Sequence, residues 1–520
     1  MRTLLGCVAL LLTLLLSASH AEGQVKINPI YEGDTKLTSR GTALNDNWIV
    51  TGNGSALIAQ SRHNINQKLL LWLDNGGRDG SGVENLILHD NLLVVGGEGP
   101  YASKMGTLGI WDLNNLVQER IKRTGNPNYN PEGQYIPQNW TVKERGLKFV
   151  FLNKDNNLVG IYSDESGLVS VYEIFGDSNT PTQEIFVGTD VLSLSYDKNL
   201  FAIGKNKEVL LFKYNSDVQL YEHVDAYKWQ GSTFAGGLEF EYAGERRLGL
   251  TISENGDSVY LVIATNTARM EIIQLKASNF KIVARTTIDS SEIVNSHFFD
   301  VDGDFIVLRG KIFHIPSASL VGEYVVHDNN LPLTRSACIR DLGERVEMIT
   351  TESDLSIAVG YLSIYDEPIL SVSTPKKVSG GFVKLLTSSR VFRGGSATFT
   401  VVANSGYKIR YIQKKASSKK IIRKETGGLV YKIKNIQSHT GLKKVKFATS
   451  AGMKEYSIYA PYTLIFGRPT PDGDSRKWRY NLSVGDYIGL FVSPTPGEVP
   501  RTLLIRVKAN GTSVTAPIIF

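Results

Sequence analysis

Leu92-Leu93-Val94-Val95-Gly96-Gly97, a polar linker, then Thr107-Leu108-Gly109-Ile110-Trp111-Asp112-Leu113: this stretch sets the pattern of the chain. Two apolar runs are joined through glycine, and the second closes on a Trp-Asp pair. Alternating apolar residues bounded by Gly, Asn and Asp mark hairpin strands. Closing strands of the same kind recur at Leu69–Asp74, Leu108–Asp112, Leu168–Glu173, Val209–Phe212, Met270–Gln274, Lys311–His314 and Leu362–Asp366. Their intervals of roughly 40 to 60 residues suit units of four strands plus loops. A polar turn and an apolar strand precede each, as in Asn45-Asp46-Asn47 before Trp48-Ile49-Val50. One unit cannot bury its own faces, whereas radial stacking of seven buries them all.

This pattern resembles a seven-bladed β-propeller of the WD-repeat or YVTN type, over roughly residues 24–375. Only Trp111-Asp112 shows the adjacent Trp-Asp pair, and the Gly-His pair of WD repeats is missing, so the resemblance is to a divergent relative. Six or eight blades remain open. The strand-like run Val25–Tyr31 is expected to complete the last blade and lock the ring.

Two units are longer than the rest, with extra residues at about 114–145 and 215–246. By resemblance to propellers, both connections lie on the face of the polar mid-blade turns. Long loops on a rigid scaffold are where binding concentrates. Tyr129, Tyr135, Trp140, Tyr227 and Trp229 are therefore the candidate ligand-binding residues, the alternative being that these rings only pack their own loops.

The chain divides into a signal segment (1–21), the propeller (22–375), a basic β module (376–449) and a small β-sandwich-like module (450–520) that shares one fold with its predecessor in the alternative reading. Arg2, the apolar Val8–Leu16 and Ser19-His20-Ala21 fit a secretory signal cleaved after Ala21, with an uncleaved anchor as the alternative. Cleavage leaves Cys338 as the one cysteine, so no intrachain disulfide forms. Beyond the first twenty residues no apolar run reaches transmembrane length. Sequons at Asn53, Asn139, Asn481 and Asn510 are glycosylation candidates compatible with an extracellular, glycoprotein address.

Gly380-Gly381-Phe382-Val383-Lys384, then Val391–Val401 and the Gly406-Tyr407 turn, resemble the small β-grasp-like B-repeats of bacterial surface proteins such as listerial internalins. The Trp that commonly follows the Gly-Tyr turn is absent. The resemblance implies an extracellular spacer or adhesive unit.

Charge is divided unevenly. Residues 375–520 carry a formal charge of about +20, and the remainder about −14. Lys408, Arg410, Lys414, Lys415, Lys419, Lys420, Arg423 and Lys424 form the core of a polyanion-binding candidate, extended by Lys432, Lys434, Lys443, Lys444 and Lys446 and opposed only by Glu425. Alternation aims Lys444 and Lys446 at one face of a strand. Concentrated positive potential attracts polyanions. For a secreted chain these are sulfated or uronic glycans or an anionic cell surface. A solvated or intramolecular face is the alternative.

Enzyme signatures are absent: there is no Gly-x-Ser-x-Gly, no His-Glu-x-x-His, no P-loop and no dinucleotide glycine pattern. No cofactor is implied. Asp300, Asp302 and Asp304 are a weak Ca²⁺ candidate, because closely spaced carboxylates suit a hard cation. Phe305-Ile306-Val307 follows at once, however, and their register is that of the polar turns. The reading is a secreted, all-β, non-enzymatic binding or adhesion protein. Its propeller face contacts a protein or glycan, and its basic module contacts an anionic glycan or cell surface. A propeller enzyme acting on glycans and a structural matrix or spacer protein are the alternatives.

Overall fold

The computed structural model describes residues 25–35, 41–53, 56–64, 67–73, 83–97, 105–124, 136–137, 140–229, 247–265, 269–289, 299–308, 310–324, 334–354, 359–404, 407–415, 417, 420–422 and 428–449, with short strands at 464–465, 468–469, 487–492, 501–507 and 513–518. The chain forms two compact units, Met1–Ile369 and Leu370–Phe520.

The first unit is a β-propeller of seven sheets, each built on four antiparallel strands numbered here from the inner strand outward, and Ile136–Pro137 adds to Lys68–Trp72 in parallel as a fifth strand of blade one. Blade one comprises Gly41–Leu44, Trp48–Asn53, Ala56–Ser61 and Lys68–Trp72, and blade two Val83–His89, Leu92–Gly97, Met105–Asp112 and Trp140–Arg145. Blades three, four and five run from Leu147 to Phe186, Ser193 to Lys228 and Leu248 to Asp289. Blade six is Phe299–Asp302, Phe305–Leu308, Lys311–His314 and Ser319–Tyr324. Middle strands are covered on both sides by neighbouring blades, so they read as unbroken apolar runs. All six residues of Leu92–Gly97 and of Leu158–Ser163 are buried. Outer strands face water, and most side chains of Leu220–Lys228 and Ile282–Asp289 are not buried. The core therefore lies between blades. Trp48, Leu57 and Leu71 of blade one meet Leu93, Val95 and Trp111 of blade two. Ile110 and Trp140 of blade two meet Val150 and Tyr172 of blade three.

Six of the seven expected closing strands are third strands, with a further outer strand beyond each. In blade one the expected strand is the fourth, and Ala56–Ser61 is the third. This shifts the connections. In a meander the first and third turns share one rim, and the second turn and the exit to the next blade share the other. The excursion from Asp112 to Trp140 joins third and fourth strands, whereas that from Trp229 to Arg247 joins two blades. The two long connections thus leave from opposite rims. The first opens with a helix, Leu113–Thr124, whose Leu113, Leu116 and Val117 pack on the cores of blades one and two. The Asp112 carboxylate accepts the Asn115 N–H at its start, 3.1 Å.

The N-terminal segment locks the ring, but through two pairings. Val25–Ile27 runs parallel to Ser319–Tyr324 as a fifth strand of blade six. Tyr31–Thr35 then pairs antiparallel with Val359–Ser373 and supplies the fourth strand of blade seven, whose inner strands are Thr334–Asp341 and Arg345–Asp354. The next strands of the chain are the first of blade one, so blades seven and one are built partly from one continuous segment. Glu347 of blade seven, 1% exposed, fixes that junction. Arg62 of blade one grips both its oxygens (2.9 and 3.1 Å), and Arg340 donates to Oε2 (2.7 Å). Arg62 also reaches the Asn45 carbonyl, 2.7 Å, and Arg340 pairs with Asp46, 3.1 Å. The Arg340 hydrogen bond holds Asp46 below its ordinary pKa, and the Glu347 hydrogen bond raises that of Arg62. Below this network Leu44 and Ile49 pack on Ile349, Leu362 and Ile364, with half-buried Cys338 beside them.

In the second unit the described residues are strands and their connections. Gly381–Leu385, Ala397–Ala403 and Gly428–Ile433 form one sheet, in that spatial order. Lys420–Ile422, Tyr407–Lys414 and Thr440–Thr449 form another, to which Val372 and Ser373 add in parallel. Phe399, Val401, Tyr431 and Ile433 from the first meet Ile409, Ile412, Leu442, Val445 and Phe447 from the second. A three-stranded sheet, Tyr487–Val492, Arg501–Val507 and Ser513–Ile518, lies further along the chain.

Removing the Glu347 carboxylate takes away the common partner of Arg62, Arg340 and the more distant Arg345 (3.6 Å), while Arg340 keeps Asp46 and Arg345 keeps Asp366. Glu347→Ala is expected to cost about 2–3 kcal/mol of unfolding free energy, the scale of lost hydrogen bonds between charged groups, read from urea unfolding followed by tryptophan fluorescence. A loss below about 1 kcal/mol, the scale of a surface pair, would remove the assigned role.

Candidate functional site

Of the five aromatic candidates, Tyr129 and Tyr135 lie outside the described residues. Trp140 starts the outer strand of blade two, buried edge-on against Tyr172, with Nε1 donating to the Gly176 carbonyl at 2.9 Å. Tyr227 is buried in the outer strand of blade four, its hydroxyl donating to the Phe280 carbonyl at 2.8 Å. Trp229 is buried beside it in the core between blades four and five. The structure thus places these three rings in the propeller core. Asn53 ends the strand Trp48–Asn53, and Asn139, Asn481 and Asn510 fall outside the described residues.

Asp300 and Asp302 occupy alternate positions on the inner strand of blade six. Inner strands of adjacent blades lie side by side without a shared ladder, so their N–H groups need other acceptors. Asp300 Oδ2 accepts the Ile339 N–H at 2.9 Å, and Asp302 Oδ2 accepts the Asp341 N–H at 2.7 Å. In return Asp341 Oδ2 accepts the Asp304 N–H at 3.1 Å. Gly303 between them has φ +54° and lies so close to Asp341 that a Cβ would fall 2.4 Å from its carboxylate. The same arrangement links blade four to blade five: Ser195 Oγ takes the Leu250 N–H (2.8 Å) and Asp197 Oδ2 the Ile252 N–H (2.6 Å). Burial, with added repulsion from Asp197, Asp300 and Asp341, pushes the Asp302 carboxyl up to about 7 against the opposing pull of the Asp341 N–H. Burial likewise raises Asp197. Among the described residues no group of three or more His, Cys, Asp or Glu side chains is arranged to hold a metal ion.

The basic cluster is assembled by the sheet of Lys420–Ile422, Tyr407–Lys414 and Thr440–Thr449. Ile409, Ile412, Val445 and Phe447 point into the core, so the alternate residues point out. Across the two longer strands the outward pairs are Lys408 with Ala448, Tyr411 with Lys446 and Gln413 with Lys444, and Lys420 pairs with Gln413 on its far side. The ladder is interrupted twice. Arg410 is the extra residue between Ile409 and Tyr411, and Lys443 is the extra residue opposite Gln413 and Lys414. Both are exposed. A β-bulge re-aims a side chain out of strict alternation, and here both re-aimed side chains are cations. Among the described residues no carboxylate lies within ion-pair distance of Arg410, Lys420, Lys443, Lys444 or Lys446. Lys420 Nζ sits 5.2 Å from the Tyr411 ring centroid, and Lys414 Nζ 6.0 Å from that of Tyr431. Lys415 is exposed at the hairpin, its N–H bonded to the Gly441 carbonyl. Lys419, Arg423 and Lys424 lie outside the described residues, and Lys432 is on the other sheet.

No protein-family model matches this chain, and no curated protein does. Among solved structures it is similar to Hsv2 of Kluyveromyces lactis, with 10% identity, a TM-score of 0.36, and coverage of 63% of this chain and 98% of that one. It is also similar to U3-55K (9%, 0.41, 62% and 92%) and to the periplasmic gluconolactonase PpgL of Pseudomonas aeruginosa (9%, 0.32, 48% and 69%). The propeller assignment rests on the seven sheets themselves.

The inter-blade acceptor Asp302 gives a pH signature. Its folded pKa near 7 lies above the unfolded value of about 3.9. Between those values the folded state holds a proton that the unfolded state has lost. Its contribution to stability therefore falls as pH rises from about 4 to 7, by at most about 1.4 kcal/mol per pH unit, and is flat above. Asp302→Asn keeps an acceptor oxygen but cannot ionise. Urea midpoints at pH 5 and pH 7 are expected to lie closer together in D302N than in the parent. Equal spacing would contradict the assignment.

Proposed function

We propose that this is a secreted, non-enzymatic binding protein that holds a polyanion or anionic surface on the basic sheet of its second unit. The propeller serves as the platform for a protein or glycan partner. The observation that carries the reading is the outward face of the sheet, where Lys408, Arg410, Lys420, Lys443, Lys444 and Lys446 converge and two of them are brought there by bulges. A fully solvated spacer has no need of bulges that add cations to one surface. On a rigid sheet, the side chains hold their spacing, so less conformational entropy is lost when a ligand engages them. Support for an extracellular address comes from the leader-like residues 1–21 and from the four sequons. No helix among the described residues is long and apolar enough to cross a membrane. On the propeller, the excursion after Asp112 leaves from the rim of the polar turns, which makes that rim the expected partner face.

The full chain is expected to be retained on immobilised heparin to higher salt than on a sulfopropyl resin of equal charge density. The triple variant Lys420→Ala, Lys444→Ala, Lys446→Ala is expected to lose that excess while unfolding at an unchanged urea midpoint, since all three side chains are exposed. Elution of the parent at the same salt on both resins would reduce the cluster to a solvated face.

A further inference from the structure

The polyanion reading leaves the class of polymer open, and one ring on the sheet narrows it. Tyr411 is the aromatic side chain that the described part of this sheet turns outward. Tyr407 and Phe447 pack with the core, and Tyr431 is 8% exposed on the opposite sheet. Tyr411 lies on the middle strand, with Lys446 directly across from it on one side and Ile422 on the other. Lys420 and Lys444 stand on either side of Gln413, two residues further along, and Arg410 precedes the ring at the bulge. The ring is therefore set among the cations.

Single-stranded nucleic acids are held by cations that track the backbone together with aromatic faces on which bases stack, and an aromatic turned outward from a sheet can carry a base in this way. The Tyr411 ring already holds the Lys420 ammonium, 5.2 Å from its centroid, so the two contacts compete. Lys420 is exposed, and a cation–π contact at an exposed site is worth roughly two- to fivefold in an equilibrium constant. One base–aromatic stack is worth roughly fivefold to a hundredfold. The base wins the exchange, by about eightfold at the middle of both ranges. The displaced ammonium stays on a flexible stem beside the ring, where it can meet a phosphate. Arg410 adds a planar fork suited to bidentate capture of a second phosphate. A charged glycan engages the same cations but brings no base to the ring.

We propose that this face binds single-stranded nucleic acid, with one base stacked on Tyr411 in place of the Lys420 ammonium and the backbone phosphates on Arg410, Lys420, Lys444 and Lys446. The inference rests on the polyanion reading and names its ligand class. The test uses the full chain and fluorescence anisotropy at fixed ionic strength. The probes are a labelled thymidine oligonucleotide, an abasic oligonucleotide of the same length and a heparin oligosaccharide of equal charge. The thymidine strand is expected to bind roughly five- to tenfold more tightly than the abasic strand, which keeps the phosphates and lacks the bases, and at least as tightly as heparin. Tyr411→Leu is expected to erase the difference between the two strands while leaving the heparin affinity unchanged, which also reports that the variant is folded. Tyr411→Phe, which keeps the ring, is expected to preserve the difference, and Lys420→Ala, which vacates the ring, to preserve or widen it. Lys444→Ala is expected to weaken all three probes alike. Equal binding of the two strands by the parent, or a difference that survives Tyr411→Leu, overturns the stacking and leaves polyanion binding standing. Tighter binding of heparin than of the thymidine strand overturns the proposal in favour of a sulfated glycan. Binding to none of the probes overturns both readings.

Discussion

A propeller depends on one junction that cannot form until the whole chain has been laid down: the meeting of its last blade with its first. Blade seven lacks an outer strand until Tyr31–Thr35 returns to it from the N-terminal end. The same segment has already lined the edge of blade six through Val25–Ile27 and next enters blade one. Backbone ladders hold the strands within each blade, and side-chain cores pack one blade on the next. At the junction of blades seven and one, the apolar contacts of Leu44 and Ile49 with Ile349, Leu362 and Ile364 are joined by a buried carboxylate among three arginines. Such a network is a weak source of net stability, because desolvating the charges costs about as much as their attraction returns. Its value lies in what it excludes. Glu347 of blade seven meets Arg340 and Arg345 within its own blade, and it gains Arg62 only when blade one is in place beside it.

Elsewhere around the ring, neutral and acidic side chains do comparable work. The pattern Ser195-x-Asp197 and the pattern Asp300-x-Asp302 each place acceptors every second residue, on the side of the strand that faces the next blade. Read in one dimension, Asp-x-Asp near a glycine suggests a cation. In the folded ring each Oδ2 receives an N–H from the next blade, and the cost of burying a carboxylate there appears in the raised Asp302. The discriminating fact lies on the neighbouring blade, 39 residues along the chain, where sequence spacing cannot show it.

What the sequence makes legible follows the same division. Middle strands announce themselves because burial on both faces demands unbroken apolar runs, so the seven-fold repeat and the all-β class can be read directly. Ala56–Ser61 is hard to read as a closing strand because its apolar run is only four residues, Ala56 to Ala59, and Leu69–Leu73 beyond it is the stronger run. The helix Leu113–Thr124 falls within a long connection between strands, where Leu113, Leu116, Val117 and Ile121 have helical spacing. The short parallel additions Val25–Ile27 and Ile136–Pro137 carry too few residues for any periodicity. Trp140, Tyr227 and Trp229 look like loop aromatics until the outer strands are placed, after which they are core.

The basic sheet shows how far alternation can carry a functional argument. Period two correctly puts Lys444 and Lys446 on one face and the intervening Val445 in the core. By the same rule Arg410, next to Tyr411, and Lys443, next to Lys444, would turn inward, where an unpaired cation is prohibitively costly. The bulges remove that conflict. Each inserts one residue, reverses the parity at one point and keeps the flanking Ile409, Ile412, Leu442 and Val445 in the core. The apolar pattern therefore dictates where the bulges fall, and the bulges dictate that consecutive cations share one surface. A lysine-rich strand that obeyed strict alternation would divide its charge between two faces. This one concentrates it on a single face, and the same hydrophobic residues that hold the second unit together are what hold the charge in place.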